Sequence, residues 1–242
     1  MLSKAIEKIT ELARAKTFEV DGRTFADGEL HEVIPEVDVP NLLPVNSLDE
    51  LIHLIQREGS IRFPDAPLFV SVRKYNEVVC YTPVSREYRN DRLTLYVANA
   101  TDIPGLNSES KFGFEQAQIA LQTRFQHTAD RDYLLRLCSQ ITCGGKVTYN
   151  DNGIATSVVT QKGVALQGTE AIKPLVLLKP YRTFQEVEQP ESLFLVRVDE
   201  RGVSFIEADG GMWKLKARET IKKFLVESLA DLISENWVVV TL

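Results

Sequence analysis

Leu68-Phe69-Val70-Ser71-Val72-Arg73-Lys74-Tyr75-Asn76-Glu77-Val78-Val79-Cys80-Tyr81 carries the pattern that decides the fold. Two runs rich in β-branched and aromatic residues flank Lys74-Tyr75-Asn76, which reads as the turn of a hairpin. Strands joined so tightly must run antiparallel, because a parallel pair needs a long crossover. Downstream, Leu93 to Ala98 supplies a third strand with Leu93, Leu95 and Val97 on one face. Three strands suffice for a sheet with a buried face.

Upstream, Ser47-Leu48-Asp49-Glu50 has capping-box spacing. Leu51, Ile52, Leu54 and Ile55 follow as the buried face of a short helix that stops at Gly59. Before it, Pro40 and Pro44 mark a loop, and Leu30 to Ile34 is extended. Asp21-Gly22 sits between alternating runs, the signature of a type I′ hairpin. Ile6, Ile9, Leu12 and Ala13 form one helical stripe within Ser3 to Ala15.

Beyond residue 100 a helical block comes first. Phe114, Ala117, Leu121 and Phe125 lie along one stripe. Thr128 then caps a second helix with Tyr133, Leu134, Leu137 and Ile141 on its apolar side. Gly144-Gly145 ends it. Strands return over Lys146–Asn150 and Ile154–Gln161, around Asp151-Asn152-Gly153. Leu175 to Leu178 is a short buried strand. Leu193–Val198 and Val203–Ala208 form a hairpin through Asp199-Glu200-Arg201-Gly202. Trp213 to Leu215 extends the sheet, Arg218 to Ile233 is a helix, and Trp237 to Val240 is a last strand. The expected class is α+β, with antiparallel sheets, a central helical block and a C-terminal helix. A division into residues 1–100 and 101–242 is expected at the polar, Pro104-Gly105-containing loop, with a single domain as the alternative.

The bulk properties fit a globular chain. Of 242 residues, 44% are hydrophobic and 26% charged, enough apolar material for a sizeable core. The 34 acidic and 28 basic residues leave a net charge of −6. That balance argues against non-specific nucleic-acid binding and is too slight for a DNA mimic. The charged N-terminal residues are unlike a signal peptide, and no run of about 18 apolar residues occurs. Cys80, Cys138 and Cys143 lack CxxC spacing, which fits reduced thiols in a cytosol.

Searches for chemistry mostly exclude. There is no GxxxxGK[ST] and no GxGxxG. His31, His53 and His127 lack HExxH spacing. No GxSxG elbow occurs. Asp65 with Glu109 and Lys111 resembles a nuclease set, but Glu109 and Lys111 fall in a polar loop rather than on a strand. Glu207 and Asp209, two apart on an expected strand, share a face and form a minority option for a divalent cation. No cofactor is called and catalysis is disfavoured. Two basic–aromatic groups point instead to binding. Arg73, Lys74, Tyr88, Arg89 and Arg92 belong to the hairpin and its exit, and Lys179, Tyr181 and Arg182 follow the buried strand. Arginine grips phosphates bidentately and tyrosine stacks on bases. The competing reading of both groups is a charged sheet edge that resists aggregation.

The segments Pro180-Tyr181-Arg182-Thr183-Phe184-Gln185-Glu186-Val187-Glu188-Gln189-Pro190-Glu191-Ser192-Leu193-Phe194 and Phe205-Ile206-Glu207-Ala208-Asp209-Gly210-Gly211-Met212-Trp213-Lys214-Leu215 resemble the C-terminal part of the YfdQ-like family of uncharacterised phage and prophage proteins. The resemblance covers about the last 130 residues. It implies a viral protein acting in the bacterial host cytoplasm and carries no catalytic role. The expected function is that of a non-enzymatic accessory protein that binds a host protein, such as a defence component, or a nucleotide-like signal. The alternatives are a nucleic-acid-binding factor in recombination or replication, a metal-dependent nuclease or phosphodiesterase, and a structural assembly protein. A homo-oligomer suits the first reading, and no membrane partner is called.

Overall fold

The structure is a computed structural model that describes residues 17–26, 31–32, 41–59, 66–84, 91–106, 111–143, 147–151, 156–162, 165–199 and 201–242. The chain divides into two compact units, Met1–Pro40 and Asn41–Leu242. In the first, β1 (Thr17–Val20) and β2 (Arg23–Ala26) form the expected hairpin, and β3 (His31–Glu32) pairs with β2. Asp21 and Gly22 both have positive φ, 51° and 73°, as a type I′ turn requires. The helix expected over Ser3–Ala15 lies outside the described residues.

The second unit opens with β4 (Leu43–Val45) and α1 (Leu48–Leu54), which runs into a π turn over Ile55–Gly59. Ser47 Oγ accepts from the Glu50 N–H at 3.1 Å, one half of the expected capping box. Glu50 reaches back to the Asn46 N–H, one residue earlier than the motif requires. β5 (Leu68–Lys74) and β6 (Glu77–Tyr81) are the deciding hairpin, and β7 (Thr94–Asn99) follows. A register shift opposite Cys80 and Tyr81 breaks the alternation of β7, so Leu95 and Tyr96 are both buried while Val97 is half-buried.

Next come β8 (Lys111–Phe112), α2 (Phe114–Arg124) and α3 (Ala129–Cys143). Thr128 Oγ1 accepts from the Arg131 N–H at 3.1 Å, the expected cap. β9 (Val147–Asp151), β10 (Thr156–Lys162) and β11 (Ala165–Ala171) form a three-stranded antiparallel meander whose last strand was not foreseen. β12 (Leu175–Leu178), β13 (Ser192–Asp199) and β14 (Gly202–Glu207) lead to α4 (Trp213–Ser228), α5 (Ala230–Ser234) and β15 (Val238–Thr241).

Trp213 begins a helix rather than extending a sheet, which corrects the sequence expectation. Gly210 and Gly211 turn the chain at φ 63° and 82°. Asp209 then ties the helix start, accepting from the Gly211 N–H at 3.0 Å and the Trp213 N–H at 3.2 Å. The helical stretch breaks at Leu229, and Asn236 at φ 62° ends it in the left-handed conformation asparagine tolerates.

The class is α+β. The order β15-β5-β6-β7-β4 is mixed, since β15 runs parallel to β5 and β4 parallel to β7. Leu68, Val70, Val72, Val78 and Cys80 point to one face, covered by Leu48, Leu51, Ile221, Leu225 and Leu229. A division after residue 100 would therefore cut through this core. The second core lies under the sheet β12-β13-β14-β8, where Leu121, Leu134, Leu137 and Cys138 meet Val176, Phe194, Val196 and Phe205. Phe125 anchors it edge-on to Phe194 and Phe205, both at 6.2 Å. The opposite face of that sheet carries exposed Leu175, Leu177, Leu193 and Ile206. Among the described residues, no helix is long and apolar enough to cross a membrane.

Candidate functional site

The segment between β12 and β13, together with the start of β13, links the two cores. Phe184 and Val187 drop into the first, and Phe194 into the second. Gln189, only 2% exposed, holds the segment together. Its Oε1 accepts from the N–H groups of Arg182 and Thr183 at 2.8 and 3.2 Å. Its Nε2 donates to the carbonyls of Phe184 and Val187 at 2.8 and 3.3 Å. Thr183 Oγ1 bonds the Tyr75 carbonyl in the β5–β6 turn. Glu186 accepts from the Leu48 N–H at 2.7 Å, at the start of α1.

These ties fix Arg182, which is 5% exposed. Its Nη1 donates to Glu207 Oε1 at 3.0 Å, and its Nη2 bonds Ser192 Oγ. The guanidinium lies 4.3 Å from the Trp213 ring centre and 5.3 Å from that of Phe194. Trp213 Nε1 in turn donates to Glu207 Oε2 at 3.2 Å. Burial pushes the Arg182 pKa down to about 10, against the opposing pull of Glu207 and Asp209, so the group stays charged at neutral pH. Arg182 Nε is buried with no hydrogen-bond partner, a cost that a native fold tolerates only rarely.

A cleft of about 350 Å³ adjoins this cluster, lined by Tyr75, Asn76, Tyr181, Arg182, Glu207 and Trp213 together with Ala100, Thr101 and Ile103–Leu106. A neighbouring hollow of about 290 Å³ shares Ala100, Thr101 and Ile103. Tyr75 meets Trp213 edge-on at 4.8 Å. The site thus combines a fixed cation, a carboxylate and aromatic walls, on a scale that suits a small molecule.

The sequence-derived residues divide among different environments. Tyr181, Arg182 and Glu207 come together at the cleft. Lys179 does not line it, being engaged by Glu188 at 2.6 Å and Glu191 at 3.8 Å. The hydrogen bond to Glu188 raises the Lys179 pKa. Arg73 and Arg92 lie apart, over the ring of Tyr81 at 5.9 and 5.4 Å. Lys74 is paired with Glu77 at 3.0 Å. Tyr88 and Arg89 lie outside the described residues, as do Asp65 and Glu109 of the nuclease-like set. Lys111 of that set bonds Asp199.

The carboxylate pair needs correction. β14 ends at Glu207, so Asp209 lies in the following turn rather than on the same strand. All four of their oxygens already accept hydrogen bonds, from Arg182, Trp213 and Gly211. Among the described residues, no group of three or more His, Cys, Asp or Glu side chains is placed to hold a metal ion. Burial pushes the Cys80 and Cys138 thiols up to about 12 and 11, far from a nucleophilic thiolate at neutral pH.

Sequence reasoning missed Tyr75 and Trp213 as cleft walls. The signal for Trp213 was present in Asp209-Gly210-Gly211, a turn and cap ahead of a helix. Tyr75 was read as a turn residue and grouped with the basic–aromatic hairpin, and nothing local shows that its ring faces Trp213. Comparisons with protein-family models, curated proteins and solved structures return no match for the chain.

Proposed function

We propose that this is a binding protein whose cleft takes a nucleotide-like ligand, and that it serves as a phage or prophage accessory factor. One observation supports the ligand class: a charged Arg182 lines a cleft whose walls include Tyr75, Tyr181 and Trp213. The tyrosine and tryptophan rings, packed against each other, form an aromatic wall on which a planar ring can lie, and an acceptor on the ligand can meet the guanidinium. The phage assignment rests on the resemblance of residues 180–194 and 205–215 to the YfdQ-like family. Catalysis is not part of this reading, because the carboxylates of the cleft already hold the fold together.

The test is thermal unfolding with each of the four ribonucleoside 5′-monophosphates. A ligand at a hundred times its Kd adds about 2.7 kcal/mol, which raises Tm by roughly 5–10 °C for a unit of this size. The expected shift is lost in Tyr75→Ala. If none of the four nucleotides raises Tm at millimolar concentration, this ligand class is wrong.

A further inference from the structure

We propose that the face of the five-stranded sheet opposite its helices is a second site, which binds single-stranded nucleic acid. Cross-strand register sets Val239, Phe69, Tyr81 and Thr94 side by side across β15, β5, β6 and β7. With strands about 4.8 Å apart, the row spans about 14 Å. Phe69 and Tyr81 are half-buried, and their rings are stacked at 5.6 Å and 9°. Arg92 lies over both, at 5.7 and 5.4 Å, and Arg73 approaches Tyr81 from the other end of β5. Both arginines are exposed, and neither forms an ion pair with a described residue.

Among the described residues, Glu77 and Asp91 are the acids within four positions of these arginines in the chain. Glu77 is neutralised by Lys74 at 3.0 Å, and Asp91 accepts from the Arg92 backbone N–H at 2.8 Å. The guanidiniums therefore keep donors for phosphate, and stacking on the rings holds them in place. Two stacked rings in a cross-strand row, flanked by exposed arginines, can take the unstacked bases and the phosphates of a single strand. A duplex offers no base face to such a row. A bilayer is poorly served by rings that are half-buried in the sheet, and a phosphopeptide has no use for the ring row.

This site is distinct from the Arg182 cleft, and its test is independent of that reading. Fluorescence anisotropy is measured with a labelled 20-nucleotide oligothymidine and a 20-base-pair duplex, from 25 to 300 mM salt. The expected result is saturable binding of the single strand, at least tenfold tighter than the duplex. The Arg73→Ala/Arg92→Ala double variant should lower the slope of log K against log salt by about 1.4. Phe69→Ala should weaken binding roughly ten- to hundred-fold. Circular dichroism confirms that the variants fold, and the double arginine variant alters no core residue. The proposal is overturned by absent binding at 25 mM salt, by equal affinity for the duplex, by an unchanged slope in the double variant, or by binding only to anionic vesicles or a phosphopeptide.

Discussion

At the scale of single residues, Gln189 does more for the second unit than its polarity suggests. One buried amide satisfies four backbone groups of the segment between the two cores. Gln189→Ala strands those groups away from water, and buried unpaired donors and acceptors are costly. Urea unfolding should therefore show a loss of about 3 kcal/mol with little change in slope. The buried thiols give a second residue-level prediction. Their folded pKa values lie above the ordinary thiol value, so the fold retains the protons more tightly than the open chain does. Their stabilising contribution is complete below about pH 8 and declines as pH rises from 9 toward 12. By pH 10.5 each thiol costs about 2 kcal/mol, and Cys80→Ala should flatten that part of the stability profile. Neither thiol should react with iodoacetamide at pH 8 until the chain is unfolded.

Among the elements, the β13–β14 hairpin depends on Gly202. Its φ of 134° is disfavoured for L side chains, and an added Cβ would lie 1.9 Å from the Phe112 carbonyl oxygen. Gly202→Ala should therefore detach β8 from the sheet edge and cost at least about 2 kcal/mol, visible as faster amide exchange at Val203 and Ser204. Most elements were legible because their signals are local. Asp21-Gly22, Ser47 and Thr128 each act within a few residues, and the structure has the corresponding turn and caps. The errors also have local causes. The run from Trp213 was read as extended because it was joined to the strand before it, whereas Asp209 ties the start of a helix there. The alternation of β7 failed at a bulge, which depends on the partner strand and leaves no mark in the chain's own pattern.

For the whole molecule, the unit formed by residues 41–242 is interleaved. The chain lays down β4 to β7 first and returns at its far end to complete the same core with α4 and β15. A fragment of residues 101–242 would leave Ile221 and Leu225 uncovered, although both are fully buried in the intact unit. It should lack a cooperative thermal transition and bind a hydrophobic dye, whereas residues 41–242 should melt cooperatively. This closure was illegible in the sequence, because the parallel pairing of β15 with β5 joins residues about 170 apart and no local rule selects it. The candidate site was partly legible for the same reason. Tyr181, Arg182 and Glu207 stood out by residue type, but their convergence with Tyr75 depends on how the β5–β6 turn meets the β12–β13 segment.

On the proposed reading, Arg182 is held charged at the cleft to receive a nucleotide-like ligand. The most direct measurement is isothermal titration of wild type and Arg182→Lys with the nucleoside monophosphate that most raises Tm. Lysine keeps the charge but loses the planar fork. Wild type should show one saturable site per chain, and a folded Arg182→Lys at least tenfold weaker binding. Equal affinity in the two proteins, or no binding to wild type, would contradict it.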